Sequence, residues 1–230
     1  MRDFPQGLML FAAGFGTRMG ALTADRPKPM VKVAGRPLID HALDLLDGLD
    51  LPRKVVNLHY KPEPLIAHLD GRGLLLSHEQ PQILETGGGL RQALPLLGDD
   101  PVVTLNADAI WHGPNPVQML LEAWKPDQMD ALLMCIPHDR AVGHTGKGDF
   151  LIGGSGALSR GPGQVYGGVQ IIRTDLLHDI SETAFSLNLL WDRMLADGRA
   201  FGLSYAGKWC DVGRPEGIAL AENMIASSDV

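Results

Sequence analysis

The sequence predicts an α/β fold, a single Rossmann-like, mostly parallel sheet with helices on both faces, interrupted by a glycine-rich β insertion. Three observations predict it. Short apolar runs alternate with amphipathic stretches of helical period, the pattern of parallel strands joined by right-handed crossovers. Polar residues gather where the apolar runs end, the edge at which such sheets bind ligands. Residues 143–168, "GHTGKGDFLIGGSGALSRGPGQVYGG", then break the rhythm with ten glycines, too many for a helix interior. With 230 residues and 45% hydrophobic content, the chain can bury a sizeable core. The expectation is one domain over residues 1–230 that carries the glycine-rich segment as an insertion.

Each element follows from its own residues. Residues 8–13 read as a buried strand, short, apolar and closed by glycines. Pro37 opens "PLIDHALDLLDGL", where Leu38, Ala42, Leu45 and Leu49 share one helical face. "KVVNLH" (54–59) is a second strand, and 62–70 a helix entered through Pro62 and Pro64. "GLLLSHE" gives a third strand, "GGLRQALPLL" a helix, and "DPVVTLNAD" (100–108) a fourth strand with a polar end. A helix near 116–125 and the run "DALLMCI" follow. After the insertion the α/β alternation resumes with "VQIIRTDLL", a helix at 186–197, strands around 200–211 and a last helix from about 214.

Charge and composition exclude several functions. A net charge of −7 argues against duplex nucleic acid or an anionic membrane surface as partner, since both require a basic face. No run of ~18 apolar residues is present to span a bilayer. "MRDFPQG" places an acid and a proline ahead of any apolar stretch, unlike a secretory leader, so a cytoplasmic protein is expected. Cys135 and Cys210 belong to no metal-spaced or redox pair and read as reduced thiols. The eight histidines form no metal-spaced cluster; His41 reads as a helix-surface residue, Tyr166 and Trp209 as core, and His59 as a residue that would line the cleft.

The stretch "LFAAGFGTRMG" (10–20) is a glycine-punctuated turn after the first strand. It fails the dinucleotide fingerprint because Met19 stands where the third glycine belongs, and it fails the Walker pattern because it has no lysine. What remains is the physics both loops share. Glycines let backbone N–H groups approach an anion, and Arg18 can add charge-assisted bonds to phosphate oxygens. Between residues 14 and 32, Arg18, Arg26, Lys28 and Lys32 face the single acid Asp25. Lys28 lies between Pro27 and Pro29, which predicts a stiff extended mount for its charge.

These residues resemble the sugar nucleotidyltransferases. "AAGFGTRMGALTADRPKPMVKVAGRPLIDHAL" is similar to that family's signature, and "ETGGGLRQALPLLGDDPVVTLNAD", "GKGDF", "VYGGVQII" and "KWCDVGRPEGIALAE" follow in the family's order. The compact length and the pairing of "ETGGG" with "GDF" are most similar to the N-acetylmuramate 1-phosphate uridylyltransferases of peptidoglycan recycling. The resemblance implies that Ala12, Ala13 and Gly14 lie against the nucleoside while Gly16, Thr17 and Arg18 wrap the triphosphate. It implies that Lys28 neutralises phosphates at the reacting centre, and that Glu85, Gly87 and Gly88 border the base. Asp108 and Asp211 would hold Mg²⁺, Asp149 and Gly168 would face the sugar, and Asn106 would reach it too. UTP is the nucleotide the resemblance favours, with a sugar 1-phosphate as second substrate. Three departures stand out: Ala107 replaces a glycine before the first metal aspartate, Arg214 replaces a threonine, and Ser186 replaces a lysine of close relatives. The last two bear on the sugar, for which glucose or mannose 1-phosphate stays an alternative.

The chemistry of the residues agrees. "LNAD" and "KWCD" each end a predicted strand, so two distant aspartates can meet above one sheet edge. Mg²⁺ is commonly held by one or two carboxylates together with substrate phosphates. A phosphorylated acceptor other than a sugar, such as phosphocholine with CTP, would call for an aromatic cage that is not identifiable here. A non-catalytic sensor of nucleotide sugars would be expected to lack Arg18, Lys28 or an aspartate, and all are present.

Overall fold

Seven strands form the central sheet of the computed structural model, which describes residues 3–98 and 101–227. Met1, Arg2, Asp99, Asp100 and residues 228–230, which fell within stretches read above, lie outside the described residues. The first part of the chain comprises β1 (Gly7–Phe11), the short strands β2 (Lys32–Val33) and β3 (Arg36–Pro37), α1 (Leu38–Asp44), β4 (Arg53–Leu58), α2 (Glu63–Leu69), β5 (Leu75–His78), α3 (Glu85–Leu97) and β6 (Val102–Asn106). There follow β7 (Ala109–His112), α4 (Pro116–Ala123), β8 (Ala131–Ile136), β9 (Ala141–Val142), β10 (Phe150–Ile152), β11 (Leu158–Arg160) and β12 (Val165–Ile172). The chain then continues through α5 (Asn188–Ala196), β13 (Ala200–Ser204), β14 (Lys208–Asp211) and α6 (Pro215–Ala226).

The sheet order is β13, β8, β12, β6, β1, β4, β5. β6, β1, β4 and β5 run parallel, as do β13 and β8, and β12 runs antiparallel to both of its neighbours. The α/β alternation expected through "VQII" is therefore broken at this strand. Parallel neighbours need a long crossover, usually a helix. Between β8 and β12 the chain instead spends its length on the glycine-rich segment, whose strands β10 and β11 pair antiparallel, so β12 folds back beside β8. The last four residues of that segment, 165–168, belong to the central sheet. β7, β14 and β9 form a separate three-stranded sheet.

Alternating residues of each strand feed opposite faces. Leu8 and Leu10 join a core with α1, α2 and α4, whereas Met9 joins a second core with Leu90, Ala93 and Leu97 of α3 and Leu190 and Met194 of α5. Helices thus cover both faces of the sheet. The helix begun at Leu38 ends at Asp44 rather than near Leu49, and the chain continues through turns closed by Gly48 at φ 75°. His41 is half-buried rather than on the surface, its Nε2 lying 3.0 Å from the Val33 carbonyl. Burial pushes the Cys135 thiol up to about 12 and the Cys210 thiol up to about 11, so both stay protonated at neutral pH. Among the described residues, no helix is long and apolar enough to cross a membrane.

The three glycines that open α3 each leave room for a different neighbour. A Cβ on Gly87 would lie 2.3 Å from the Phe185 ring, on Gly88 2.4 Å from the Thr183 carbonyl, and on Gly89 2.5 Å from a Glu79 carboxylate oxygen. Gly87→Ala gains ~1 kcal/mol of helix propensity and forces an overlap costing ~1–3 kcal/mol in a packed interior. The expected outcome is a net loss of up to about 2 kcal/mol in urea unfolding; an alanine variant more stable than the parent would show that the ring moves aside freely.

Candidate active site

The parallel strands β1 and β6 lie side by side, with Phe11 opposite Asn106, and their carboxyl ends open into a cleft of about 200 Å³. Ala12, Ala13, Gly14, Lys28, Glu85, Asn106 and Asp108 line it. Strand β1 is where connections diverge, to β4 on one side and β6 on the other, the position at which open α/β sheets form ligand crevices. That volume lies below the ~300–1,000 Å³ usual for small-molecule sites, so the cleft has room for only part of a nucleotide-sized molecule.

Gly16 and Lys28 fix each other. Gly16 adopts φ 62°, and a Cβ there would stand 2.9 Å from the Lys28 Cβ, so glycine is favoured by both backbone and space. Lys28 is 8% exposed, and its Nζ donates to Asp108 Oδ2 at 2.8 Å. The extended mount expected between the prolines holds at Pro27, with ψ 153°. Lys28 itself begins a 3₁₀ turn closed by the Val31 N–H on the Lys28 carbonyl, which orders the side chain by local hydrogen bonding as well as by proline stiffness.

Asp108 follows β6 and Asp211 ends β14. The two chain segments are joined by the Val212 N–H donating to the Asp108 carbonyl at 2.9 Å, and Asp211 pairs with Ala109 across β14 and β7. Burial first, and the Asp108 charge second, push the Asp211 carboxyl above its ordinary value; Lys28, Arg18 and His144 offset part of this. Ala107 avoids left-handed backbone, so the missing glycine costs nothing there. Gly213 is required by crowding, since a Cβ on it would meet an Asp211 oxygen at 2.7 Å and an Arg18 guanidinium nitrogen at 2.9 Å.

A second, larger hollow of about 500 Å³ lies beyond Asp211 and is lined by Arg18, His144, Arg214 and Glu216 among others. His144 Nε2 is buried without a hydrogen-bond partner among the described residues. Sequence reasoning passed over it because an isolated histidine in a glycine-rich stretch carries no spacing signal.

Other predicted site residues stand apart from both hollows. Gly87 and Gly88 line neither. Their N–H groups both donate to the Phe185 carbonyl, so their backbone is not open for reading a base. Thr17 is exposed and borders neither hollow. Asp149 accepts from the Tyr166 N–H at 2.8 Å, fixing the start of β12. Gly168, at φ 87°, leaves space for the Asn106 side chain, so it acts on the cleft through Asn106. His59 does not line the cleft; its Nδ1 meets the Glu79 carbonyl and its ring lies edge-on to Phe15. Tyr166 packs edge-on to Trp191, and buried Trp209 donates to the Gly167 carbonyl. The cleft also contains Asn57 and Glu79, which sequence reasoning did not single out. The signal available was a polar residue inside the apolar run "VVNL".

Among the described residues, no three His, Cys, Asp or Glu side chains converge as a metal-binding set. The corner offers two carboxylates, Asp108 and Asp211, a donor set of the kind Mg²⁺ takes when phosphates and water complete its shell.

Known proteins share this plan. The model of the MobA-like NTP transferase domain matches residues 8–183. The N-acetylmuramate alpha-1-phosphate uridylyltransferase of Caulobacter vibrioides is 40% identical, with 99% of this chain and 100% of the relative covered. The enzyme of that name from Neisseria meningitidis is 30% identical over 89% of this chain and 92% of its own. The solved structure of HddC from Yersinia pseudotuberculosis, complexed with GMP-PN, shares the fold at a TM-score of 0.76 and 20% identity, covering 95% of this chain and 98% of its own.

The Asp211 environment generates a stability test. A carboxyl whose folded-state value is raised keeps its proton to higher pH in the folded protein than in the unfolded chain, so its contribution is lost as pH rises past the ordinary carboxylate range. Without metal, Asp211→Asn is expected to raise Tm at pH 7, since the neutral amide removes the charge that burial and Asp108 disfavour. Near pH ~3, where the aspartate is protonated, the two proteins should melt alike. A lower Tm for the asparagine variant at pH 7 would contradict the repulsion.

Proposed function

Since the chain belongs to the MobA-like NTP transferase family and is a nucleotidyltransferase acting on a sugar 1-phosphate, we propose that it joins UTP to N-acetylmuramic acid 1-phosphate with Mg²⁺. The products are the UDP-sugar and pyrophosphate. The observation that carries this reading is the meeting of Asp108 and Asp211 at one sheet corner, opposite Lys28 and Arg18. The sugar and the base are taken from the relatives named above. In this reading residues 1–230 act as one catalytic domain, placed in the cytoplasm and in peptidoglycan recycling.

Asp108 and Asp211 would hold the metal, which polarises phosphoryl oxygens and lowers the cost of the charge that develops on them. Ala12, Ala13 and Gly14 form the wall for the nucleoside, Glu85 borders the base, and Asn106 reaches the sugar. Arg18 receives the departing phosphates beside the second hollow. Lys28 exchanges its Asp108 partner for a phosphate oxygen when the nucleotide enters. An oxygen of the sugar phosphate forms a bond to the α-phosphorus as the α–β bond breaks, and the electron pair leaves on pyrophosphate. A phosphate monoester is mostly dianionic at neutral pH, its second pKa being ~6, so the attacking oxygen needs no general base. Catalysis then rests on alignment and charge neutralisation. The lactyl carboxylate of the sugar calls for a cation, and Arg214 at the second hollow and exposed Lys147 are the candidates.

Pyrophosphate release with UTP and Mg²⁺ tests the reading. N-acetylmuramic acid 1-phosphate is expected to give a higher kcat/KM than glucose 1-phosphate, a ratio that measures discrimination directly. A preference for glucose or mannose 1-phosphate would overturn the sugar assignment alone. Arg18→Ala is expected to slow turnover by roughly 10²–10³, the order lost with one positioned donor. Asp108→Asn and Asp211→Asn should each lower kcat at least as much while the protein stays folded, and normal turnover in both would remove the metal assignment.

A further inference from the structure

We propose that Glu79 and Asn57 are positioning residues of the nucleotide site, joining the phosphate loop to the base-side turn through a hydrogen-bond chain whose polarity requires a carboxylate at position 79. The proposal rests on the nucleotide half of the function above and not on which base or sugar is used.

The chain has three links. The Ala12 N–H donates to Asn57 Oδ1 at 2.6 Å, Asn57 Nδ2 donates to Glu79 Oε1 at 2.7 Å, and the Leu84 N–H donates to Glu79 Oε2 at 2.7 Å. Glu79 is 0% exposed and Asn57 2%, and both border the cleft. No cation is paired with Glu79 among the described residues. Burying a carboxylate without one is costly, so its place here needs a reason. Two charge-assisted hydrogen bonds and the positive end of the 13-residue helix α3 supply part of the compensation. Gly89 supplies the space.

Donor and acceptor roles leave little choice. Both ends of the chain are backbone N–H groups, which can only donate. Asn57 accepts from one end with its oxygen, so its amide nitrogen faces position 79. The group at 79 must then accept twice, on two separate oxygens. Glutamate does this; glutamine turns an NH₂ toward either Asn57 Nδ2 or the Leu84 N–H.

What the chain holds is a strained turn. Glu85, next to Leu84, has φ 58°, a left-handed conformation that costs a non-glycine residue of order 1 kcal/mol and persists only where neighbours over-determine it. Leu84 is pinned from both sides, its N–H by Glu79 and its carbonyl by the Phe185 N–H. Glu85 lines the cleft together with Ala12 and Ala13, so the Glu79 carboxylate fixes the spacing between the two walls that a nucleotide would touch.

The polarity can be inverted on purpose. In Asn57→Asp combined with Glu79→Gln, the new aspartate accepts from Ala12 and from the glutamine NH₂, and the glutamine oxygen accepts from Leu84. Kinetics are measured on the full chain with Mg²⁺ and whichever common NTP the parent turns over fastest, so a wrong base in the proposed function shows in the parent and leaves the comparison intact. Glu79→Gln is expected to raise the nucleotide KM about tenfold, the order given by one unmade buried hydrogen bond. The KM for the sugar phosphate should move less than twofold, and kcat should fall by less than the nucleotide KM rises. The double variant should return the nucleotide KM to within threefold of the parent. A nucleotide KM unchanged in Glu79→Gln, or a double variant no better than the single one, overturns the proposal. If Glu79→Gln does not fold, the double variant decides alone: parental KM in a folded protein upholds the chain, and a misfolded or weakly binding protein refutes it.

Discussion

Two carboxylates pressed together in a half-buried corner repel each other, and the rest of the site is arranged around that repulsion. Asp108 and Asp211 arrive from different sheets, locked by the Val212 to Asp108 backbone bond, so neither can withdraw without breaking β-structure. Lys28 offsets one of the charges directly. Arg18 and His144 act on the other from the second hollow. A protein of net charge −7 thereby sets Lys28 and Arg18 against its two crowded carboxylates, which is how a cleft focuses field against the overall sign of the molecule.

The glycines show how one residue type does different work in one chain. Gly16 and Gly213 leave room for charged side chains of the candidate site, Lys28 in one case and Arg18 with Asp211 in the other. Gly87 and Gly88 instead admit the Thr183–Phe185 segment against α3. Arg91 of α3 holds the same loop by donating to the carbonyls of Leu177, Ile180, Glu182 and Thr183. "ETGGG" resembles a base-reading loop in sequence, yet only Glu85 and Thr86 of it line the cleft. A glycine in a motif signals close approach, and the sequence does not say whether a ligand or the protein's own backbone makes it.

Most of the architecture was legible because burial imposes period. Leu8, Met9 and Leu10 alternate between two cores, and such alternation is written in the residues themselves. Strand direction is not written there. "VYGGVQII" has the apolar character of a parallel central strand and runs antiparallel, since direction depends on the connection that precedes it. The end of α1 is not legible for a related reason: Leu45 and Leu49 still pack on the core from turns, so their apolar spacing outlasts the helix.

At the site, legibility follows charge more than polarity. Arg18 and Lys28 stood out as a local surplus of positive charge in a glycine-punctuated turn and between two prolines, and Asp108 and Asp211 because two strand-end aspartates together face that surplus. Asn57 and Glu79 did not, because one is neutral within a strand and the other is a lone acid at the end of "GLLLSHE". Their importance depends on which backbone groups the fold turns toward them. Ala12 and Leu84 are 72 positions apart in the chain and both present N–H groups to the same interior. Two donors facing inward demand an acceptor between them, whatever side chain the local sequence would otherwise prefer. The fold therefore sets the hydrogen-bond polarity first, and the carboxylate at position 79 answers it, buried at a cost that a purely structural packing of α3 on the sheet would avoid with an apolar residue.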